Sequence, residues 1–169
     1  MDELDAVILG IIQGLTEFLP VSSSGHLEIT RELLDTNQLP SDNLLMTSVL
    51  HFATALSTIL VFRKDIFNLI KGLFDRENKS SKSYVIKILI AIVPAGLVGF
   101  LLSDEIEFLF SGNMILVGIM LIITGTLLFL TKILKTKNFE ISRVHALIIG
   151  LSQAFAVIPG ISRSGATIC

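Results

Sequence analysis

Runs of apolar residues broken by short polar clusters organise this chain. Three runs, 44–62, 84–102 and 112–131, come close to the roughly 20 apolar residues a helix needs to cross a bilayer core, and each predicts a membrane span. Lys87 sits near the end of the second run, where its ammonium can reach the interface, and Pro94 predicts a kink that neighbouring helices accommodate. Two shorter runs, 4–19 and 144–158, carry Gln or Glu and lead into loops rich in Pro, Ser and Gly. They predict broken or re-entrant helices.

Composition agrees. Apolar residues make up 51% and charged residues 17%, with a mean hydropathy of +0.77. These values argue against a soluble enzyme or a disordered chain. Thirteen Lys and Arg against fifteen Asp and Glu leave a net charge of −2, so no basic surface predicts a nucleic-acid partner. The single cysteine, Cys169, excludes an internal disulfide and a Cys-based zinc site. The acidic start (Asp2, Glu3, Asp5) and the polar Gln13 and Glu17 do not read as a signal peptide.

Charge also orients the spans. Seven basic residues fall within 63–87 and four within 132–143, whereas 103–111 has none. The positive-inside rule therefore places the two basic loops, read as solvated linkers, in the cytoplasm and 36–43 and 103–111 outside. Shifting the chain by 140 residues superposes 6–26 on 146–166, with Ala6/Ala146, Gly10/Gly150, Gln13/Gln153, Ser22/Ser162, Ser24/Ser164 and Gly25/Gly165 among the identities. One copy starts on the outer side and the other on the inner side. The prediction is an all-α integral membrane protein, a polytopic helix bundle with inverted-topology repeats and re-entrant helices whose site lies where the two loops meet. Residues 1–143 form the first unit, with its motif loop at 13–35, and 144–169 begin the second; about a hundred more residues are expected to complete it.

The chemistry concentrates in the loops. Gln13 and Glu17 are four apart and share a helix face. A carboxylate at this depth costs a few kcal/mol, so it faces a cavity or a cation. Pro20 ends the helix; Ser22, Ser23, Ser24 and Gly25 offer hydroxyls and N–H groups, with His26 in reach of the same space. In the second loop Arg163 stands among Ser162, Ser164, Gly165 and Thr167, a setting suited to phosphate oxygens. The plainer readings are two simple turns, a mutual Glu17–Arg163 ion pair and an interfacial histidine at His26. His51, in a stripe with Thr47, Thr54 and Thr58, reads as a helix–helix hydrogen-bonding group; Gly96, Gly99, Gly118 and Gly125 read as close-packing positions.

The segments QGLTEFLPVSSSGH and PGISRSGATI, in this order and several helices apart, resemble the two signature regions of the bacterial undecaprenyl-diphosphate phosphatase family, the bacitracin-resistance family; LHFATALSTILVFRKDI is similar to the helix between them. The resemblance implies hydrolysis of a polyprenyl diphosphate to the monophosphate and phosphate, recycling the lipid carrier for cell-wall synthesis. It implies a multi-pass protein of the bacterial inner membrane, a site open to the outer face, and a divalent cation (Mg2+ or Ca2+); a homodimer is compatible with it. Residue by residue, Glu17 matches the essential acid, Gln13 the Glu/Gln position before it, Ser23 the nucleophile, His26 the loop histidine and Arg163 the essential arginine. Gln13 and Glu17 would hold the metal, with Gln13 standing where other members carry Glu. The Ser-Gly-His triplet is also found in acid-phosphatase-type lipid phosphatases, but their other motifs are missing from this sequence. A competing class is a transporter or flippase of a polyprenyl phosphate lipid, which broken helices and inverted repeats describe equally well.

Overall fold

The computed structural model describes residues 2–35, 40–75, 78–103, 105–106, 113–133 and 140–168. Every element among them is helical: α1 Glu3–Thr16, α2 Ser23–Leu33, α3 Pro40–Val61, α4 Arg63–Phe74, α5 Lys79–Leu101, α6 Met114–Ile133, α7 Arg143–Phe155 and α8 Arg163–Ile168. Polar residues between the apolar runs start these helices by accepting N–H groups of the first turn. Ser22 accepts from Gly25, Asn78 from Ser81, Asn113 from Leu116 and Ser142 from His145.

Helices α5 and α6 are each long and apolar enough to cross a membrane, and α3 with α4 forms a third span-like pair bent by 75°. The second and third expected spans correspond to single helices, whereas the first, 44–62, is long and apolar enough only as part of the bent α3–α4 pair. The second starts five residues early, because Asn78 caps a helix that extends through the polar 79–83; it runs unbroken through Pro94. The basic segment 63–87 is not the plain linker that its charge predicted. Most of it is helix: α4 and the start of α5. In α4, apolar Phe67, Ile70 and Phe74 recur at helical spacing between Arg63, Lys64 and Lys71, an amphipathic pattern that folds where a solvated loop was expected. Residues 36–39 and most of 103–111 lie outside the described residues.

Packing is opposite to that of a soluble protein. Leu, Ile and Phe dominate the exposed surface, while the buried set includes Gln13, Thr16, Ser22, Glu28, Arg31, Thr124 and Ser162. An apolar exterior suits lipid. Within a bilayer the hydrophobic effect does not drive helix association, so van der Waals contact and hydrogen bonds must hold these helices together. Leu9, Leu27 and Leu50 join α1, α2 and α3. Arg31 pairs with Glu28 at 2.7 Å within α2, and its guanidinium also donates to Thr47 Oγ1 at 2.5 Å, the hydrogen bond that ties α2 to α3. Helix α7 lies along α5 where a Cβ on Gly150 would be 2.8 Å from the Ala91 carbonyl and 2.9 Å from the Pro94 ring. The four glycines expected at close contacts are not the ones used. A Cβ at Gly96, Gly99, Gly118 or Gly125 would meet nothing within 4 Å among the described residues. Spacing within one helix cannot show which face another helix covers.

Candidate active site

Two helix breaks build the site. Helix α1 ends at Thr16, whose hydroxyl turns back onto the Ile12 carbonyl at 2.6 Å, and the chain bends through Pro20 before α2. Ser22 takes a left-handed conformation (φ 67°), unusual for a side chain other than glycine. Its hydroxyl caps α2 by accepting from Gly25 N–H at 3.3 Å. In the second break Gly160 carries the positive φ (93°), and Ser162 caps α8 by accepting from Gly165 N–H at 3.0 Å.

The breaks also touch reciprocally. A Cβ on Gly25 would lie 3.1 Å from Gly160 Cα, and one on Gly165 would lie 3.3 Å from the Pro20 carbonyl. Under the 140-residue offset, 25 pairs with 165 and 20 with 160. Contact of i with j matched by j with i is what a two-fold relation between the segments requires. Thr124 of α6 straps the second break: it donates to the Gly160 carbonyl at 2.9 Å and accepts from Ser162 N–H at 3.0 Å, at a buried position.

Beside this contact lies a cavity of about 500 Å³. The first break contributes Glu17, Ser22, Ser23 and Ser24 to its walls, and the second Ser162, Arg163, Ser164 and Thr167. Glu17 Oε2 accepts from Ser23 Oγ at 2.5 Å and from Gln13 Nε2 at 3.0 Å. The guanidinium of Arg163 is exposed and makes no hydrogen bond or ion pair among the described residues. The mutual neutralisation of Glu17 and Arg163 is therefore not formed. The N–H groups of Ser23, Ser24, Arg163 and Ser164, at two helix starts, likewise lack partners among the described residues. Thus a hydroxyl rests on a carboxylate in the same cavity as a free guanidinium and unsatisfied N–H donors. That combination can activate an oxygen nucleophile and hold an anion.

Not every expected residue lines the cavity. Gly25 and Gly165 are buried at the break-to-break contact, and their N–H groups are given to the serine caps. His26 turns Nδ1 onto the Ser22 carbonyl at 2.8 Å and is not part of the wall. Gln13 is buried beside Glu17; its Oε1 has no partner among the described residues, while its Nε2 donates to the carboxylate. The reverse amide orientation would set oxygen against oxygen, so Gln13 is placed as a donor to Glu17 and not as a second metal oxygen. Conversely, Thr47, His51 and Gln153 line the cavity although none was singled out for the site. Gln153 had a signal, its identity with Gln13 at the 140-residue offset. His51 had none, because its nearness to Glu17 depends on how α3 packs.

No cluster of three or more His, Cys, Asp or Glu side chains suited to a metal occurs among the described residues. A preformed protein cage does not fit. The carboxylate of Glu17, with Oε1 free of hydrogen bonds among the described residues, does fit a cation that completes its shell with phosphate oxygens and water, as Mg2+ commonly does.

A family model described as "Bacitracin resistance protein BacA" matches residues 6–169. The chain belongs to the BacA family. Relatives named "Undecaprenyl-diphosphatase" include those of Christiangramia forsetii, 54% identical over 168 residues, and Bacteroides fragilis, 47% identical over 169. The match covers 99% of this chain in both cases, and 64% and 63% of the relatives. That of Thermosipho africanus is 42% identical over 167 residues, 98% of this chain and 65% of the relative. The chain thus spans a little under two thirds of the BacA relatives it matches. Membership makes this a multi-pass membrane protein, in agreement with its apolar helices.

Proposed function

We propose that this protein hydrolyses undecaprenyl diphosphate, or a similar polyprenyl diphosphate, to the monophosphate and inorganic phosphate in the bacterial inner membrane. The observation that carries the reading is the Ser23–Glu17 hydrogen bond of 2.5 Å in the same cavity as the unpaired Arg163. The names of the relatives supply the substrate class.

The isoprenoid tail lies against the apolar helices, and the diphosphate enters the cavity. Arg163 and the free N–H groups of Ser23, Ser24, Arg163 and Ser164 hold the terminal phosphoryl oxygens and stabilise charge that builds on them. Glu17 accepts the Ser23 proton as Oγ bonds to the terminal phosphorus. The bridging P–O bond breaks, polyprenyl monophosphate leaves, and water releases the phosphoryl group from Ser23. Attack by water held on Glu17 gives the same products without the serine ester. A divalent cation, when bound on Glu17, supplies Lewis-acid polarisation of phosphate oxygens. The reciprocal contact of the two breaks supports the division into a first unit at 1–143 and an inverted second unit from 144.

The test is phosphate release from a polyprenyl diphosphate in detergent by the full-length protein. Arg163→Ala and Glu17→Gln are expected to cut kcat/KM by at least about 100-fold, in line with loss of a transition-state charge contact. Near-normal turnover by Ser23→Ala would leave only the direct-water route. Lipid binding with no phosphate released under any condition would overturn the hydrolase reading in favour of a lipid carrier.

A further inference from the structure

The proposed hydrolysis leaves His51 without a role, although its side chain lines the cavity. Its Nδ1 lies 2.9 Å from the Thr47 carbonyl oxygen. A carbonyl only accepts, so Nδ1 carries a hydrogen, and Nε2 is the ring nitrogen left to bind a ligand. That nitrogen is 3.9 Å from Glu17 Oε2. An imidazole nitrogen and a carboxylate, two metal-ligating groups from different segments, thus meet across one gap at the cavity.

We propose that His51 Nε2 and the Glu17 carboxylate are the two protein ligands of one divalent cation. Ligand bonds of about 2.0–2.2 Å from each atom can span such a gap. Histidines that bind metals commonly donate their other ring N–H to a backbone carbonyl, which sets tautomer and ring direction, and Thr47 does this for His51. Arg31 anchors Thr47 from α2 through the 2.5 Å bond to its hydroxyl. His26 has the same Nδ1–carbonyl arrangement but lies off the cavity wall, so the geometry selects His51. An imidazole–carboxylate pair favours Mn2+ or Zn2+ over Ca2+, whose preference is for oxygen alone. The remaining positions would go to water and phosphate oxygens, which is the part of the inference that rests on the phosphatase reading.

Pulsed electron paramagnetic resonance of Mn2+ tests the site. The full-length protein, with any His-tag removed, is measured in detergent with Mn2+ alone and then with added inorganic phosphate. Nitrogen modulation from a directly bound imidazole is expected in the wild type and in His26→Gln. It should be lost in His51→Gln, together with at least about a tenfold weakening of Mn2+ binding. Wild type without nitrogen modulation, the result if Glu17 and His51 simply form an ion pair, overturns the proposal; so does modulation that persists in His51→Gln. Phosphate release on the same preparations separates the two readings. Modulation without release would overturn the hydrolase alone, and release without modulation the His51 ligand alone.

Discussion

Thr124→Val tests whether the strap from α6 holds the second break in place. The hydroxyl satisfies two groups at once, the Gly160 carbonyl at 2.9 Å and the Ser162 N–H at 3.0 Å, at a residue only 3% exposed. Valine keeps the shape and removes both bonds. Each buried group left unpaired costs about 1–3 kcal/mol. The two groups together therefore cost about 2–6 kcal/mol. Thr124→Ser retains both bonds and loses one methyl group, about 1 kcal/mol. Ser162 adjoins Arg163, so a loop that shifts to find new partners also moves the guanidinium; each 1.4 kcal/mol of lost phosphate contact is about tenfold in kcat/KM. Denaturant unfolding in detergent and phosphate release on the same preparation read the two effects. Valine and serine variants of equal stability, or a valine variant as stable and active as wild type, would refute the reasoning.

Three further outcomes follow from the same geometry. Ser22→Ala keeps the left-handed backbone and loses the cap, at about 1 kcal/mol, whereas Ser22→Gly relieves strain of about 1–3 kcal/mol; unfolding should rank glycine above alanine, and the opposite order would count against the strain. Gly160→Ala puts a Cβ 2.7 Å from the Val117 carbonyl at a φ of 93° and should cost about 3 kcal/mol or more, while Gly96→Ala, with nothing within 4 Å, should be neutral or slightly stabilising; equal melting temperatures would contradict this. Arg31→Met strands a buried carboxylate and should cost about 3–5 kcal/mol, and adding Glu28→Leu should recover most of it, a coupling that a double-mutant cycle measures directly.

Much of the fold was legible because membrane helices announce themselves through continuous apolar length, and their ends through Ser, Asn and Pro. The two breaks and the 140-residue offset were legible for the same local reason, and the offset even pointed to Gln153. Helix α4 was obscured because basic charge was read as solvation, although its apolar residues recur at helical spacing. The glycines of α5 and α6 misled because small residues permit contact without specifying a partner.

The sequence by itself determined which segments are apolar enough to cross a membrane, where they break, and that a carboxylate, a serine run and an arginine belong to the breaks. These are properties of neighbours along a chain, set by propensity, capping and hydrophobic length. Only tertiary structure decided that Ser23 rests on Glu17 while Arg163 stays unpaired, that His26 turns away and His51 turns in, and that Thr124 satisfies the second break. Ser23 and His26 turn on how the first break itself folds, whereas Thr124 and His51 reach groups far apart in sequence, across a distance between helices. Packing of whole helices sets that distance, and no local spacing encodes it.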